Sequence, residues 1–106
     1  MKVRPSPADQ AFIQILQTAE ALMNEVSAVL KPAGLTPTQY NVLRILRGAH
    51  PEPVTCGQVA ERMITKDPDI TRLMDRMESR NLIVRERDTR DRRHVTIGIT
   101  DAGLKL

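Results

Sequence analysis

Three stretches of the central sequence begin with residues that start helices, and their order constrains the fold more than any other feature. A hydroxyl or carboxylate at the N-cap, proline at the first helical position and glutamine at the third are signals of a helix start. They occur, in chain order, at Thr36-Pro37-Thr38-Gln39, at Thr55 with Gln58, and at Asp67-Pro68. We therefore predict three short helices, with Asp67 as the cap of the last.

The apolar residues of these segments indicate which side of each helix is buried. The first helix is expected to reach about Arg47 and the last to end near Asn81, a residue that tolerates a left-handed helix end. The predicted buried sets are Tyr40, Val42, Leu43, Ile45 and Leu46; Val59, Ala60 and Met63; and Ile70, Leu73, Met74 and Met77. The last set has the i, i+3, i+4, i+7 spacing of a helix face. Two short helices joined by few residues favour a helix-turn-helix.

Two apolar-rich segments, residues 82–87 and 94–99, follow the last of these helices. They flank the charged stretch Asp88-Thr89-Arg90-Asp91-Arg92-Arg93, a pattern typical of a β-hairpin. A helix-turn-helix followed directly by a hairpin is a winged helix. We therefore predict a mainly α fold with a small β-hairpin wing, in which residues 35–99 form a DNA-binding domain.

A longer helical pattern opens at Ser6-Pro7 and runs to about Lys31, before Pro32 and Gly34 stop it. Its apolar residues form a stripe with spacings of four and three, widened by a second line at every seventh residue. This surface fits either a central core helix or a contact between subunits, and its breadth in a short chain favours the contact. We predict residues 1–34 to be a dimerisation element that uses Phe12, Ile15, Leu16, Leu22, Met23 and Val29.

The composition and the motifs of the sequence limit the classes of function that we expect. The 106 residues carry a net charge of +3, and 12 of the 16 basic residues are arginine, which pairs well with phosphates and base edges. No glycine-rich phosphate loop or nucleophile elbow is present, and His50 and His94 do not group, so we expect neither an enzyme nor a cofactor or metal site. Without an apolar run of about 20 residues or a leader, a cytoplasmic protein is expected. The single cysteine, Cys56, excludes an internal disulfide and leaves either a redox role or simple burial open.

Several segments together resemble regulators of the MarR family. Residues 35–43 resemble the second helix of the family, Val59-Ala60-Glu61-Arg62-Met63 the first helix of its helix-turn-helix, and residues 70–78 its recognition helix. Arg85-Glu86-Arg87-Asp88 with Asp91-Arg92-Arg93 resembles the wing, and Ile99-Thr100-Asp101-Ala102-Gly103 the start of the fifth helix. The resemblance covers most of the chain and implies a sequence-specific DNA-binding regulator.

In that family the recognition helix lies in a major groove, which here places Asp69, Thr71, Arg72 and Arg76 nearest the bases. Arginine can donate two hydrogen bonds to a guanine edge, so Arg72 and Arg76 are the favoured readers. The alternative is that Arg72 and Asp75 simply pair at the surface.

The wing supplies a second set of DNA contacts. The resemblance implies that Asp91 supports Arg93 in the minor groove, while Arg90 and Arg92 meet phosphates. A solvated hairpin tip that touches nothing is the alternative, although the arginines of the hairpin outnumber its acids. Arg85 is one of those arginines.

The resemblance also implies a repressor that binds a near-palindromic double-stranded DNA operator as a homodimer, released by a small apolar or phenolic effector. Family members continue beyond the fifth helix, so residues 100–106 are expected to begin a shortened C-terminal dimerisation helix. Either the chain is a fragment or it dimerises by other means. A winged-helix protein-interaction module without DNA binding is the remaining alternative.

Overall fold

The computed structural model describes residues 6–87 and 94–106 and confirms a mainly helical winged helix with a small sheet. The chain divides into two compact units, of which the first ends at Pro37 and the second begins at Thr38. The elements are α1 Pro7–Leu30, a 3-10 helix Lys31–Ala33, α2 Pro37–Ala49, β1 Val54–Thr55, α3 Cys56–Arg62, α4 Ile70–Ser79, β2 Ile83–Arg87, β3 Val95–Ile99 and α5 Asp101–Leu104.

The first unit is built around α1. A reciprocal capping box opens the helix, because Ser6 Oγ accepts from Asp9 N at 3.2 Å and Asp9 Oδ2 accepts from Ser6 N at 3.0 Å. Gly34, at φ 70°, supplies the left-handed end of the 3-10 helix that follows. In the described part of the chain, no helix has the length and apolar character needed to cross a membrane.

The apolar face of α1 is exposed, and Leu30 is the buried residue of this helix. The predicted dimerisation residues are all at least 46% exposed: Phe12, Ile15, Leu16, Leu22, Met23 and Val29. The role of these residues in dimerisation stays a prediction.

The core of the second unit is built from Leu, Ile, Val and Met side chains, since Phe12 and Tyr40 are the only aromatic residues in the sequence. Its most buried side chains are Leu46, Met74, Met77, Ile83, Ile97, Val42, Val54 and Val59. One core prediction is wrong, since Tyr40 is 37% exposed whereas Gln39 is buried. Three other residues that the sequence predicts to be buried are only half-buried: Ile45, Ala60 and Ile70. Gln39 precedes Val42, Leu43 and Leu46 at helical spacing, so the inward face of α2 includes residue 39 and turns residue 40 outward. The helix also continues two residues past Arg47, through Gly48 to Ala49.

The wing belongs to a three-stranded antiparallel sheet of order β1-β3-β2, whereas the sequence predicted a hairpin of two strands. In the hairpin, Ile83 pairs with Ile99 and Arg87 with Val95. The additional strand pairs Val54 with Ile97 at the centre of β3. β3 therefore has a hydrogen-bonded strand on each side, β1 on one and β2 on the other.

The end of α4 confirms the predicted role of Asn81, which has φ 59°. Asn81 N donates to Glu78 O at 2.9 Å and Leu82 N donates to Met77 O at 3.1 Å, which together form a Schellman motif. The Thr100 hydroxyl then lies 2.6 Å from Asn81 O and accepts from Gly103 N at 3.0 Å, so it caps α5 against the end of α4. These bonds fix the start of β2 relative to α4.

Candidate nucleic-acid interface

Polar contacts fix the turn between α3 and α4. Lys66 Nζ donates to Ala60 O at 2.6 Å and to Glu61 O at 3.0 Å, two carbonyls at the end of α3. A lysine at this position also interacts favourably with the negative end of the helix dipole. Asn41 Oδ1 on α2 accepts from Ile64 N at 3.0 Å. The turn is therefore bound both to the helix that it leaves and to α2.

The start of α4 corrects one prediction. Asp69, rather than Asp67, is the N-cap, and its Oδ1 accepts from Arg72 N at 3.1 Å. Asp67 Oδ1 accepts from Asp69 N at 2.8 Å, so it closes the turn that precedes the cap. The helix consequently begins at Ile70, two residues after Pro68. Asp69 has a local structural partner, and a contact between Asp69 and DNA stays a prediction.

The outward side of α4 presents basic and hydroxyl groups. Thr71, Arg72 and Arg76 are exposed, whereas Leu73, Met74 and Met77 bury the opposite side in the core. Neither Arg72 nor Arg76 forms an ion pair among residues 6–87 and 94–106. The surface pair between Arg72 and Asp75, considered from the sequence, is absent because Asp75 pairs with another arginine. Both guanidinium groups on this side of α4 can therefore bind an external acceptor.

Arg85 on β2 is that other arginine. Its Nη2 lies 2.6 Å from Asp75 Oδ1 and 2.9 Å from Glu78 Oε1, both on α4. Its main-chain N also donates to Glu78 Oε2 at 3.2 Å. The side chain of Arg85 is only 25% exposed, less than that of either acid. Three polar contacts thus join α4 to β2, the first strand of the wing.

These contacts change the acid–base properties of the cluster. The hydrogen bond from the Arg85 side chain is the main cause that lowers the pKa of Glu78. The same bond, followed by the one to Asp75, raises the pKa of Arg85. Both shifts favour the charged forms of Glu78 and Arg85.

The predicted wing contacts Arg90, Asp91, Arg92 and Arg93 lie outside the described residues, and their roles stay predictions. Within β2 the structure corrects the charge expected for the hairpin. Arg85 pairs with two carboxylates from α4. It therefore adds no unpaired positive charge to the wing.

Sequence reasoning missed Arg85, Lys66 and Asn41 as residues that position the interface. The spacing of Asp75 and Glu78 places both on one side of α4, but no local pattern shows that β2 brings an arginine to them. A lysine just beyond a helix end is a recognisable signal at Lys66. Cys56 is the first residue of α3 and is half-buried. The described residues hold no group of three potential metal ligands.

Comparison with known proteins agrees with this architecture. The model of the MarR family matches residues 35–95, which include the helix-turn-helix and most of the sheet. The chain belongs to the MarR family. In this MarR-family winged helix, α3 and α4 form the helix-turn-helix and the β2–β3 hairpin forms the wing. The role of α4 as the recognition helix stays a prediction.

Individual MarR relatives support the assignment. The chain is 34% identical over 100 residues to the HTH-type transcriptional repressor MdtR of Bacillus subtilis strain 168, covering 91% of this chain but 63% of MdtR. The crystal structure of a MarR transcription factor from Planctomyces limnophilus shares 38% identity with a TM-score of 0.82, over 97% of this chain and 74% of that one. Reduced AbfR bound to DNA shares 26% identity with a TM-score of 0.82, over 92% and 72%.

Proposed function

We propose that this MarR-family protein is a sequence-specific DNA-binding transcription regulator. The observation that carries the proposal is the outward side of α4, where Thr71, Arg72 and Arg76 are exposed on a helix-turn-helix held by side-chain bonds. An α-helix fits the major groove of B-DNA, and arginine can make a bidentate contact with guanine. AbfR, which has the same fold, was solved bound to DNA.

The roles proposed for the individual side chains follow from their chemistry. Arg72 and Arg76 would read base edges, and Thr71 would contact a thymine methyl or a phosphate. Asp69 would lie at the edge of this surface, because its carboxylate caps the helix. In the wing, Arg93 would enter the minor groove with support from Asp91, while Arg90 and Arg92 would neutralise phosphates.

The protein would act as a homodimer on a near-palindromic operator, because two-fold symmetry places two recognition helices in successive major grooves. The exposed apolar face of α1 supports this proposal. An apolar patch of this kind on a soluble chain marks an interaction surface. Repression in the cytoplasm, with release by a small apolar or phenolic effector, completes the function implied by family membership, and MdtR is itself named a repressor.

A titration of fluorescent DNA fragments tests the proposal. The fragments should include the region upstream of the protein's own gene, at low and near-physiological salt, with oligomeric state measured by sedimentation. We expect a dimer that selects one fragment and loses affinity steeply as salt rises. Arg44→Ala, which removes an exposed charge from α2, is the control for a combined Arg72→Ala and Arg76→Ala variant. Salt-insensitive or absent DNA binding by the parent would instead favour a protein-interaction module.

A further inference from the structure

The acids of α4 pose a problem for a helix that binds DNA. Asp75 lies between Arg72 and Arg76 in sequence, and its side chain is 57% exposed. Glu78 follows one turn later and is 40% exposed. A carboxylate close to phosphates is repelled by them, and two unpaired acids would offset the charges of the two arginines.

Arg85 offsets this repulsion from within the protein. Its Nη2 contacts both carboxylates, at 2.6 and 2.9 Å, while its own side chain is largely enclosed. The bond from its main-chain N to Glu78 keeps β2 beside α4, so the guanidinium is held at the acids. Among the described residues, Arg85 is the cation that pairs with Asp75 and with Glu78.

We propose that Arg85 is a positioning residue for DNA binding, which acts by neutralising Asp75 and Glu78 and by fixing the wing strand to the recognition helix, and does not itself contact a phosphate. This inference rests on the proposed DNA-binding function. It assigns an internal role to an arginine that the sequence alone counts only toward the positive charge of the hairpin.

A double-mutant cycle between Arg85 and Asp75 tests the inference. Arg85→Met removes the charge but keeps an apolar stem, and we expect it to weaken operator binding by about tenfold, because Asp75 and Glu78 are both left unpaired. Asp75→Asn alone should bind within about threefold of the parent, and the double variant should regain part of the loss, because only Glu78 then lacks a partner. Fluorescence anisotropy gives the dissociation constants, and thermal unfolding shows that each variant is folded at the assay temperature.

The salt dependence distinguishes this role from a direct phosphate contact. Arg85→Met should leave the slope of log K against log salt unchanged, whereas loss of a phosphate contact reduces its magnitude by about 1. A reduced slope without rescue by Asp75→Asn would overturn the proposal. So would equal binding by Arg85→Met and the parent.

Two further measurements keep the outcomes separate. Arg44→Met removes one exposed positive charge outside the helix-turn-helix and the wing, so it is the control for a general charge effect. It should change the dissociation constant for the operator by less than about twofold. An equal loss with Arg44→Met would show a general charge effect and overturn the specific role. If the parent itself bound no DNA, the proposed function would fail, and the role of Arg85 with it.

Discussion

Glu78 accepts two hydrogen bonds from Arg85, one from the guanidinium Nη2 at 2.9 Å and one from the main-chain N at 3.2 Å. One carboxylate on α4 thereby binds both the side chain and the main-chain amide of Arg85 on β2. The bond from the side chain is the main reason that the pKa of Glu78 lies below its ordinary value. The ionised form of Glu78 therefore stabilises the fold.

Replacement of this carboxylate should give a pH-dependent loss of stability. Because the pKa of Glu78 is lowered in the folded state, its stabilisation is fully present above the ordinary glutamate pKa. The stabilisation is lost as pH falls through the lowered value. We expect Glu78→Gln to be less stable than the parent near neutral pH, with a difference that shrinks in acid.

Urea unfolding across the acid range measures this difference. Glu86→Gln, which removes an exposed carboxylate from β2, is the matched control and should cost less at neutral pH. A difference between Glu78→Gln and the parent that stays constant from neutral to strongly acidic pH would contradict the linkage.

Gly103 is expected to tolerate no side chain. A Cβ built at this position would lie 2.5 Å from Leu82 O and 2.8 Å from Ile99 Cγ1, so the backbone of α5 or of Leu82, the residue before β2, would have to move. We expect Gly103→Ala to lower the free energy of unfolding by about 1–3 kcal/mol. Gly48→Ala is the control, because among residues 6–87 and 94–106 nothing outside its own stretch of helix lies within 4 Å of a Cβ at this position, and alanine favours a helix by about 1 kcal/mol. In thermal unfolding, we expect Gly103→Ala to lower the melting temperature and Gly48→Ala to raise it. An unchanged melting temperature for Gly103→Ala would refute this packing argument.

The capping box of α3 should contribute measurably to stability. Thr55 Oγ1 accepts from Gln58 N at 3.1 Å, and Gln58 Oε1 accepts from Thr55 N at 3.0 Å. We expect Thr55→Ala to lower the free energy of unfolding by about 1 kcal/mol, the usual cost of a lost N-cap. Thr65→Ala, in the exposed turn before α4, should change it by less than about 0.5 kcal/mol. If the two variants changed the free energy of unfolding equally, the capping box would not be a stabilising contact.

Arg72 is expected to read one base pair. Its guanidinium forms no ion pair in the described structure, so no internal partner competes with a base. Arg72→Ala should cost roughly 1–3 kcal/mol of binding at a single guanine-containing position and relax selectivity there. Competition titrations with operators changed one base pair at a time measure this. A uniform loss across all operators would instead assign Arg72 to the phosphate backbone.

Arg93 should behave differently because a minor groove offers shape more than sequence. An arginine in a narrow A·T groove responds to its enhanced negative potential. We expect Arg93→Ala to weaken binding with a modest loss of preference for A·T-rich flanking sequence. Paired operators with A·T-rich and G·C-rich flanks provide the measurement, and unchanged binding to both would exclude Arg93 from the interface.

The elements that the sequence predicts well are those with local signals. The caps at Ser6 and Thr55 and the left-handed end at Asn81 depend on residues within a few positions, so their consequences follow from short-range chemistry. The sequence predicts Asp67 as the cap of α4, because an aspartate followed by proline is typical of a helix start, whereas the structure has Asp69 in this role. The two aspartates have the same capping chemistry. Hydrogen-bond geometry decides between the two aspartates.

Features that depend on distant pairing could not be predicted. A strand of two residues such as β1 has no periodicity, and it exists because Val54 meets Ile97 in the folded chain. The pairing of Arg85 with the acids of α4 likewise requires that the wing fold back beside the helix. The sequence predicts the exposed side of α4, but it does not predict that Arg85 on β2 pairs with the acids of this helix.

Thr55 belongs to a strand and to a helix cap at the same time, since it pairs with Thr96 in the sheet and its hydroxyl opens α3. A one-residue slip of β1 would reverse the faces of its side chains and move the hydroxyl away from the amide of Gln58. Thr55 therefore fixes both the register of β1 on β3 and the position of the first turn of α3. Substitutions in β3 and in α3 should consequently be energetically non-additive, although the two elements are far apart in sequence.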